Sequence, residues 1–504
     1  MPNIYQSLTY HALRQPDAIA VVDGDKTFTF PAFAEYARRY AACLTQAGIQ
    51  RGDRVFALLE NSADYLALYH ATALTGFILV PVNVRLSTRE IAWMIGHGEP
   101  KIVLYDPRNA HSAEAVRAAC GADVQWIAIE DLPIAESIPD FDPQIVESGS
   151  VDDDDVALII YTSGTTSLPK GAMLRHTGLV WNSINYQIEL GINKDCRAVL
   201  AAPLFHIGGY GVINGPILAA GGQLSMLSRF ESEAIISHLR TYTPTHLFLL
   251  SPMWVSLTDH PGFGDLRFPD VRYVQTAAAP LAEYRQELIR KVFPNAEFGW
   301  GFGLTEACVT IFKNRTTAEI LSHPGSVGYR WPHFSYRLVD EEGQILTDPF
   351  AEGALEIKGP TIFAGYWNDV EATRSTLLPD GWMRTGDLIR FDKDGFAYFV
   401  GRAKDMVKTG GENVSALEVE IGILEHPDVS EAAAYGAPHD YWGEELRAAV
   451  VPVPGRSVDT EALLQFCRGR LTGFKIPKKI TVVDTLPKSS SGKVQKFKLK
   501  DMLK

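Results

Sequence analysis

Tyr161 to Gly171 reads YTSGTTSLPKG, a run of threonines and serines broken by Gly164 and closed by Pro169, Lys170 and Gly171. It follows an apolar strand-like run, VALIIY at 156–161. A Ser/Thr/Gly loop leaving a buried strand presents backbone N–H groups and hydroxyl donors with little obstruction, which suits polyphosphate oxygens. Lys170 adds a point charge. The stretch is not a Walker A loop, because GxxxxGK[ST] needs glycine at 169 and serine or threonine at 171. Alone, it fits a phosphate site and an ordinary surface loop equally well.

Three further segments carry chemistry. GWGFGLTEA, Gly299 to Ala307, sets Phe302 among glycines ahead of Thr305 and Glu306. It fails as a dinucleotide fingerprint, since the third glycine of GxGxxG falls on Leu304. An aromatic that stacks on a base and a carboxylate that holds Mg²⁺ suit a nucleoside triphosphate, the alternative being a solvated carboxylate. GWMRTGDL, Gly381 to Leu388, places Asp387 in an expected tight turn, to accept from vicinal ribose hydroxyls or simply to cap the turn. PKSSSGK, Pro487 to Lys493, mounts Lys493 beside a glycine, where it can swing into a site and out again.

Positioning these groups requires a scaffold. Strand-like runs alternate with helix-length segments: VALIIY precedes a helix expected near Leu179–Leu190, and HLFLL (246–250) precedes another at Met253–Thr258. The alternation predicts an α/β fold, a large layered N-terminal domain of β-sheets packed by helices, over residues 1–400. After Phe391 the texture becomes charged and Gly-punctuated, and a smaller α+β pattern follows. Its helices are expected near Ser415–Leu424 and Asp459–Leu471, its strands near Ala432–Tyr435 and Arg447–Val453. The boundary is placed at 401–406, with a small, mobile C-terminal domain over 407–504. Ala198 to Ser228 holds no charged side chain and is rich in glycine, so it forms either plain core or the wall of an apolar cavity. The acidic run Asp152–Asp155 reads as a solvated turn.

The chain has 504 residues, 46% of them hydrophobic, enough for a large core and two or more domains. Tyr65–Val84 carries no formal charge but includes His70, Thr72, Gly76, Pro81 and Asn83, so a buried helix and strand are expected, not a membrane span. The first thirty residues show no basic segment followed by an apolar run and cleavage site, and the five cysteines are scattered without a CxxC. Both favour a cytoplasmic protein without disulfides or structural zinc. Net charge is −13, yet Phe474–Lys504 carries nine lysines against Asp484 and Asp501, a balance of +7 that leaves −20 elsewhere. An anionic ligand near the C-terminus, or a solvated basic tail, accounts for this. Nucleic acid is disfavoured, because the tail has no arginine and only Phe474 and Phe497 for stacking.

In this order and at these separations the four segments resemble the adenylate-forming superfamily of acyl-CoA synthetases, adenylation domains and luciferases. The resemblance runs from RGDRV at Arg51 to GKVQK at Gly492–Lys496. Ser167 stands where the family's phosphate loop commonly has glycine, and Phe302 where its second motif has tyrosine; neither change removes a catalytic group. The resemblance implies attack of a carboxylate on the α-phosphorus of MgATP, then attack of the coenzyme A thiol on the acyl-adenylate. No GxSxG elbow or HExxH occurs, in keeping with a route that needs no protein nucleophile.

By motif, the resemblance implies Mg²⁺ at Thr165 and Glu306, and β- and γ-phosphate contacts from Lys170 with Thr162, Ser163, Gly164, Thr165 and Thr166. Ala278, Ala279 and Phe302 would line adenine, next to Gly303 and Thr305. Asp387 and Arg402 would hold the ribose, and Lys493 would bridge carboxylate and α-phosphate. The hinge falls on Lys404. Gly410, Gly411 and Glu412 of TGGEN, with Lys475, would line the coenzyme A tunnel.

PLFHIGGYG, Pro203 to Gly211, matches the family's acyl-pocket segment, giving His206, Gly208 and Gly209 as lining with Thr276, Ala277 and Gly301. His206 is either a gate or a core histidine satisfied by the backbone. A small, uncharged lining cannot offset desolvation of a second carboxylate or an ammonium group. The expectation is therefore a fatty acid of medium or longer length, with an aryl or hydroxycinnamate-type acid as the alternative. A stand-alone adenylation domain loading a carrier protein shares every motif; a luciferase-like oxygenase has nothing in the sequence pointing to a luciferin. Monomer and homodimer are both open.

Overall fold

The computed structural model describes residues 3–120, 124–134, 151–162, 169–277, 281–340, 342–348, 350–402, 406–409, 412–439, 441–471, 473–488 and 494–503. Among these, two large sheets dominate. One orders its strands Gly365–Tyr366, Lys170–Arg175, Val156–Thr162, Ile78–Pro81, Arg54–Leu58, Ile102–Tyr105 and Gln125–Ala128. The other runs Tyr329–Arg330, Val309–Asn314, Glu297–Leu304, Tyr273–Ala277, His246–Leu250, Arg197–Leu200, Gln223–Met226, Ile19–Asp23 and Lys26–Thr29. Most central pairs are parallel, so their strands read as continuous apolar runs buried on both faces.

The uncharged stretch after Tyr65 folds as expected. Ala63–Thr75 is a helix capped by the Ser62 hydroxyl and closed by Gly76 at φ 74°, and Ile78–Pro81 is a wholly buried strand. No helix among the described residues is long and apolar enough to cross a membrane. The segment around Leu179 forms the helix His176–Leu190, and Ser251–Thr258 the one after HLFLL.

A four-stranded sheet, Ser335–Val339, Glu352–Lys358, Met383–Phe391 and Ala397–Arg402, carries Asp387. Here the structure corrects the expected tight turn. Asp387 lies within a strand, at a bulge where Ala354 and Glu356 face Leu388 and Arg384. Gly386 takes φ +75° there, which re-aims Asp387 into the interior.

Beyond residue 406 a separate apolar core forms around Val419, Ile423, Leu446 and Leu463, drawing only on this part of the chain. Its helices, Ala416–Leu424 and Thr460–Arg468, are capped by Ser415 and Asp459, and its hairpin pairs Val429–His439 with Gly443–Pro452. The fold is thus a large α/β domain and a small α+β domain. The tail's basic charge is met at home: Lys475, Lys488, Lys496 and Lys500 pair with Glu418, Glu431, Glu420 and Glu444. The acidic run is a solvated turn as expected, with Asp152 and Asp154 exposed, and Arg51 of RGDRV pairs with Asp152 and Asp155 at its surface. The five cysteines are all free.

Candidate active site

A cavity of about 1180 Å³ opens between the large domain and the helix Ala416–Leu424. Thr162, Lys170, His206, Gly208, Gly209, Thr276, Ala277, Gly301, Phe302, Gly303, Thr305, Glu306, Asp387 and Arg402 all line it. Residues spread over some half of the sequence therefore face one space. Most stand at or just beyond the carboxyl ends of strands, where open α/β sheets place their ligands. Ser163, Gly164, Thr165, Thr166, Ala278, Ala279, Lys404, Gly410, Gly411 and Lys493 lie outside the described residues, as does the side chain of Glu412. Lys475 is not in the cavity wall; it sits on a short turn with its ammonium 2.8 Å from both oxygens of Glu418.

The phosphate-side groups form a cluster. Lys170 opens the strand Lys170–Arg175, which pairs with Val156–Thr162 on one edge and Gly365–Tyr366 on the other. Tyr366 is thereby fixed beside both motifs: its hydroxyl donates to Glu306 Oε1 at 2.8 Å, and the Lys170 ammonium lies 5.3 Å from its ring centre. Burial first, and then the Glu306 charge, push the Tyr366 phenol far above its ordinary range, so it remains a donor at any working pH. Asp369 stands 3.8 Å from Lys170. Sequence reasoning missed Tyr366 and Asp369, although GYWND at 365–369 offered an aromatic and a carboxylate together.

On the nucleoside side, Phe302 stacks on Phe399 with centroids 5.2 Å apart. Arg402 Nε donates to Asp387 Oδ1 at 3.1 Å, their strands pairing these two residues directly, and the Asp387 N–H donates to the Thr385 hydroxyl at 3.1 Å. Asp387 is fully buried and Arg402 only partly so. At the mouth of the loop Tyr161 meets His97 Nδ1 at 2.9 Å, and Trp93 stacks on that imidazole at 4.7 Å. Burial lowers the His97 pKa, keeping the ring neutral against the phenol.

The uncharged segment proves to be core and cavity wall at once. Phe205, Ile207, Tyr210 and Val212 are buried, and Phe205, His206, Ile207, Gly208, Gly209 and Val212 all line the cavity. The inner wall is less apolar than expected. Gln275 lines it, and behind Gln275 stands Lys313, 1% exposed, with Nζ 2.5 Å from the amide oxygen. Nothing in the sequence distinguished Lys313 from a surface lysine.

These features define a nucleotide-dependent, acid-activating enzyme of two domains. Residues 8–367 match the AMP-binding enzyme family and residues 418–493 the AMP-binding enzyme C-terminal domain. The chain is 33% identical to a feruloyl-CoA synthase from Amycolatopsis sp over 488 residues, covering 96% of each. It is 30% identical to the long-chain-fatty-acid–CoA ligase FadD13 of Mycobacterium tuberculosis, covering 99% of this chain and 98% of that one. Among solved structures, ATP-bound MatB from Rhodopseudomonas palustris superposes with a TM-score of 0.87 at 31% identity, covering 99% of both chains. The chain belongs to the AMP-binding enzyme family, the adenylate-forming enzymes, and within it to the AMP-forming acid–thiol ligases.

Proposed function

We propose that this protein joins a carboxylic acid to coenzyme A in two steps. The carboxylate attacks the α-phosphorus of ATP, releasing pyrophosphate, and the thiol then displaces AMP from the acyl-adenylate. The observation that carries this is the single cavity shared by Lys170, Glu306, Phe302, Asp387, Arg402 and the His206–Gly209 segment. It holds a cation and a carboxylate for polyphosphate, a ring and an acid for nucleoside, and an apolar recess for the acid.

Both steps concentrate negative charge, so the chain's contribution is to place fixed donors and cations before reaction. Lys170 offers its ammonium to the outer phosphates. Glu306 offers a carboxylate held in orientation by Tyr366, an oxygen donor that fits Mg²⁺. Bound there, with Thr165, Mg²⁺ supplies charge neutralisation at the polyphosphate. Asp387, braced by Arg402, accepts from ribose hydroxyls. Lys493 bridges the carboxylate and α-phosphate in the first step, and rotation of residues 407–504 about Lys404, between the domains at 400 and 407, exchanges it for the TGGEN segment, which would line the thiol's path. Lys475 keeps its coenzyme A role by exchanging Glu418 for a ligand phosphate.

For the acid, we take the ring acid over the fatty acid of medium or longer chain. Behind the inner wall of Val212, Phe248 and Gln275 there is a void of only about 10 Å³, so the cavity does not continue through that wall as a channel for a long alkyl chain. The buried amide in that wall also meets a methyl terminus poorly.

Nucleotide product analysis tests the proposal, using decanoate, cinnamate and succinate with and without coenzyme A. The expected result is AMP and pyrophosphate, turning over with cinnamate only when coenzyme A is present. ADP, or no acid-dependent cleavage with any acid, overturns the ligase reading; turnover that grows with alkyl length returns the fatty acid.

A further inference from the structure

Lys313 reaches the acid pocket by an unusual route. Along Tyr273–Ala277 the alternation of side chains puts Gln275 and Ala277 on the cavity face. Lys313 lies two strands away, on Val309–Asn314, and the strand between them presents Gly299 opposite Gln275 and Gly301 opposite Lys313. A Cβ on Gly299 would stand 1.8 Å from the Tyr273 hydroxyl, and one on Gly301 3.5 Å from Lys313 Cγ. The missing side chain at Gly299 leaves room for the Tyr273 ring, while at Gly301 the lysine stem passes in ordinary van der Waals contact.

The ammonium then sits inside a cage of ring faces, Tyr186, Tyr273 and Trp331, with centroids 4.9, 4.8 and 5.3 Å away. Burial drives the Lys313 pKa well below the lysine range, the Glu189 charge opposing it. Its hydrogen bond goes to Gln275 Oε1. With Lys313 Nζ donating to its oxygen, the Gln275 amide turns its nitrogen away from the lysine. The Gln275 nitrogen is left to point elsewhere: one N–H approaches the Tyr186 hydroxyl at 3.5 Å, and Tyr186 shares a 2.8 Å hydrogen bond with Thr310. Gln275 and Thr310 both line the cavity. This part of the wall therefore offers an amide N–H beside a threonine hydroxyl, both joined to Tyr186.

We propose that Lys313, Gln275, Tyr186 and Thr310 form a selectivity element that reads a hydroxyl at the far end of a ring acid. This rests on the ring-acid CoA ligase reading above and deepens it. A hydroxyl there both accepts from the second Gln275 N–H and donates to Thr310, adding two contacts to those already made with Tyr186, whereas a hydrogen or methyl makes neither. Sites built to hydrogen-bond a substrate hydroxyl reject analogues lacking it far more strongly than apolar pockets reject a methylene. A second carboxylate is excluded, because Gln275 stands between the cavity and the lysine. Lys313 is a positioning residue, acting through the amide.

The test compares kcat/KM for 4-hydroxycinnamate, cinnamate and 4-methylcinnamate. With the wild-type enzyme the hydroxyl acid is expected to exceed both others by roughly tenfold or more. In Lys313→Met, which keeps the volume and frees the amide to flip, the hydroxyl-to-methyl ratio falls toward one, with the loss carried by the hydroxyl acid. Equal wild-type use of 4-hydroxy- and 4-methylcinnamate overturns the inference and needs no variant to fold. So does a ratio that survives Lys313→Met while all rates drop together, the outcome of a purely structural lysine. AMP release from every cinnamate without preference defeats this inference alone; AMP release with decanoate and none of the cinnamates defeats the ring acid as well; no acid-dependent AMP defeats the ligase.

Discussion

The hydroxyl of Tyr366 donates to Glu306 Oε1 across 2.8 Å, joining two motifs that lie 60 positions apart. One strand edge brings them together, since Tyr366 pairs with Ala172 just past Lys170. Glu306 is thus held by a neutral donor on one oxygen, with its carboxylate facing the cavity. Tyr366→Phe removes one hydrogen bond to a charged group, a change of about 1.5–3 kcal/mol at most. The expected outcome is a rise of roughly ten- to 150-fold at most in the Mg²⁺ concentration needed for half-maximal adenylation, with the second half-reaction little altered. Rates of adenylate formation against Mg²⁺ check this; an unchanged Mg²⁺ dependence removes Tyr366 from the metal's support.

Asp387 and Arg402 make the second such pair. Asp387→Asn keeps the shape and loses the charge that accepts from vicinal hydroxyls. Loss of one charge-assisted bond weakens ATP by roughly tenfold or more. The sharper measurement compares ATP with its 2′- and 3′-deoxy analogues: the wild-type enzyme discriminates between them, and the variant discriminates less. Equal discrimination in both moves the ribose contact elsewhere.

Lys493→Ala separates the two half-reactions. Adenylation should fall by about 10²–10³, the loss typical of one transition-state contact, while thioester formation from supplied acyl-adenylate is spared. Lys404→Pro restricts the proposed hinge and should impair chiefly the second step. Stopped-flow rates of the separate steps decide both; parallel losses in each variant argue against rotation between two states.

Acid should unfold the large domain early. Burial holds His70 at about 3 and His176 and His246 at about 4, against 6.5 for an ordinary histidine. In each case the folded-state pKa is depressed, so between pH 6.5 and 4 the unfolded chain binds protons that the folded one does not. Their contribution to stability is complete above pH 6.5 and shrinks as the pH falls. Three such groups give a slope of roughly 4 kcal/mol per pH unit. Chemical denaturation followed by tryptophan fluorescence across this window measures the slope, and His70→Gln should reduce it by about a third. A flat profile from pH 6.5 to 5 contradicts burial of these histidines in neutral form.

Much of the scaffold was legible because its signals are local. The apolar runs at 156–161 and 246–250, the caps Ser415 and Asp459, and the uncharged helix and strand after Tyr65 all follow from neighbours a few residues apart. Asp387 was found but misplaced, since a bulge depends on the register of the partner strand, which the sequence does not display. The tail's lysines suggested an anionic ligand because their glutamate partners sit in distant segments of the same domain.

The sequence by itself singled out the candidate binding groups: Lys170, Glu306, Phe302 and Asp387 stand in short motifs whose residue types suggest their chemistry. Tertiary structure alone decided what surrounds them. Tyr366 reached Glu306 and Lys313 reached Gln275, 38 positions away, only through strand order. A lysine's codeable features are the same on a surface and in a core; its burial, and with it its part in choosing the acid, follows from which strands become neighbours.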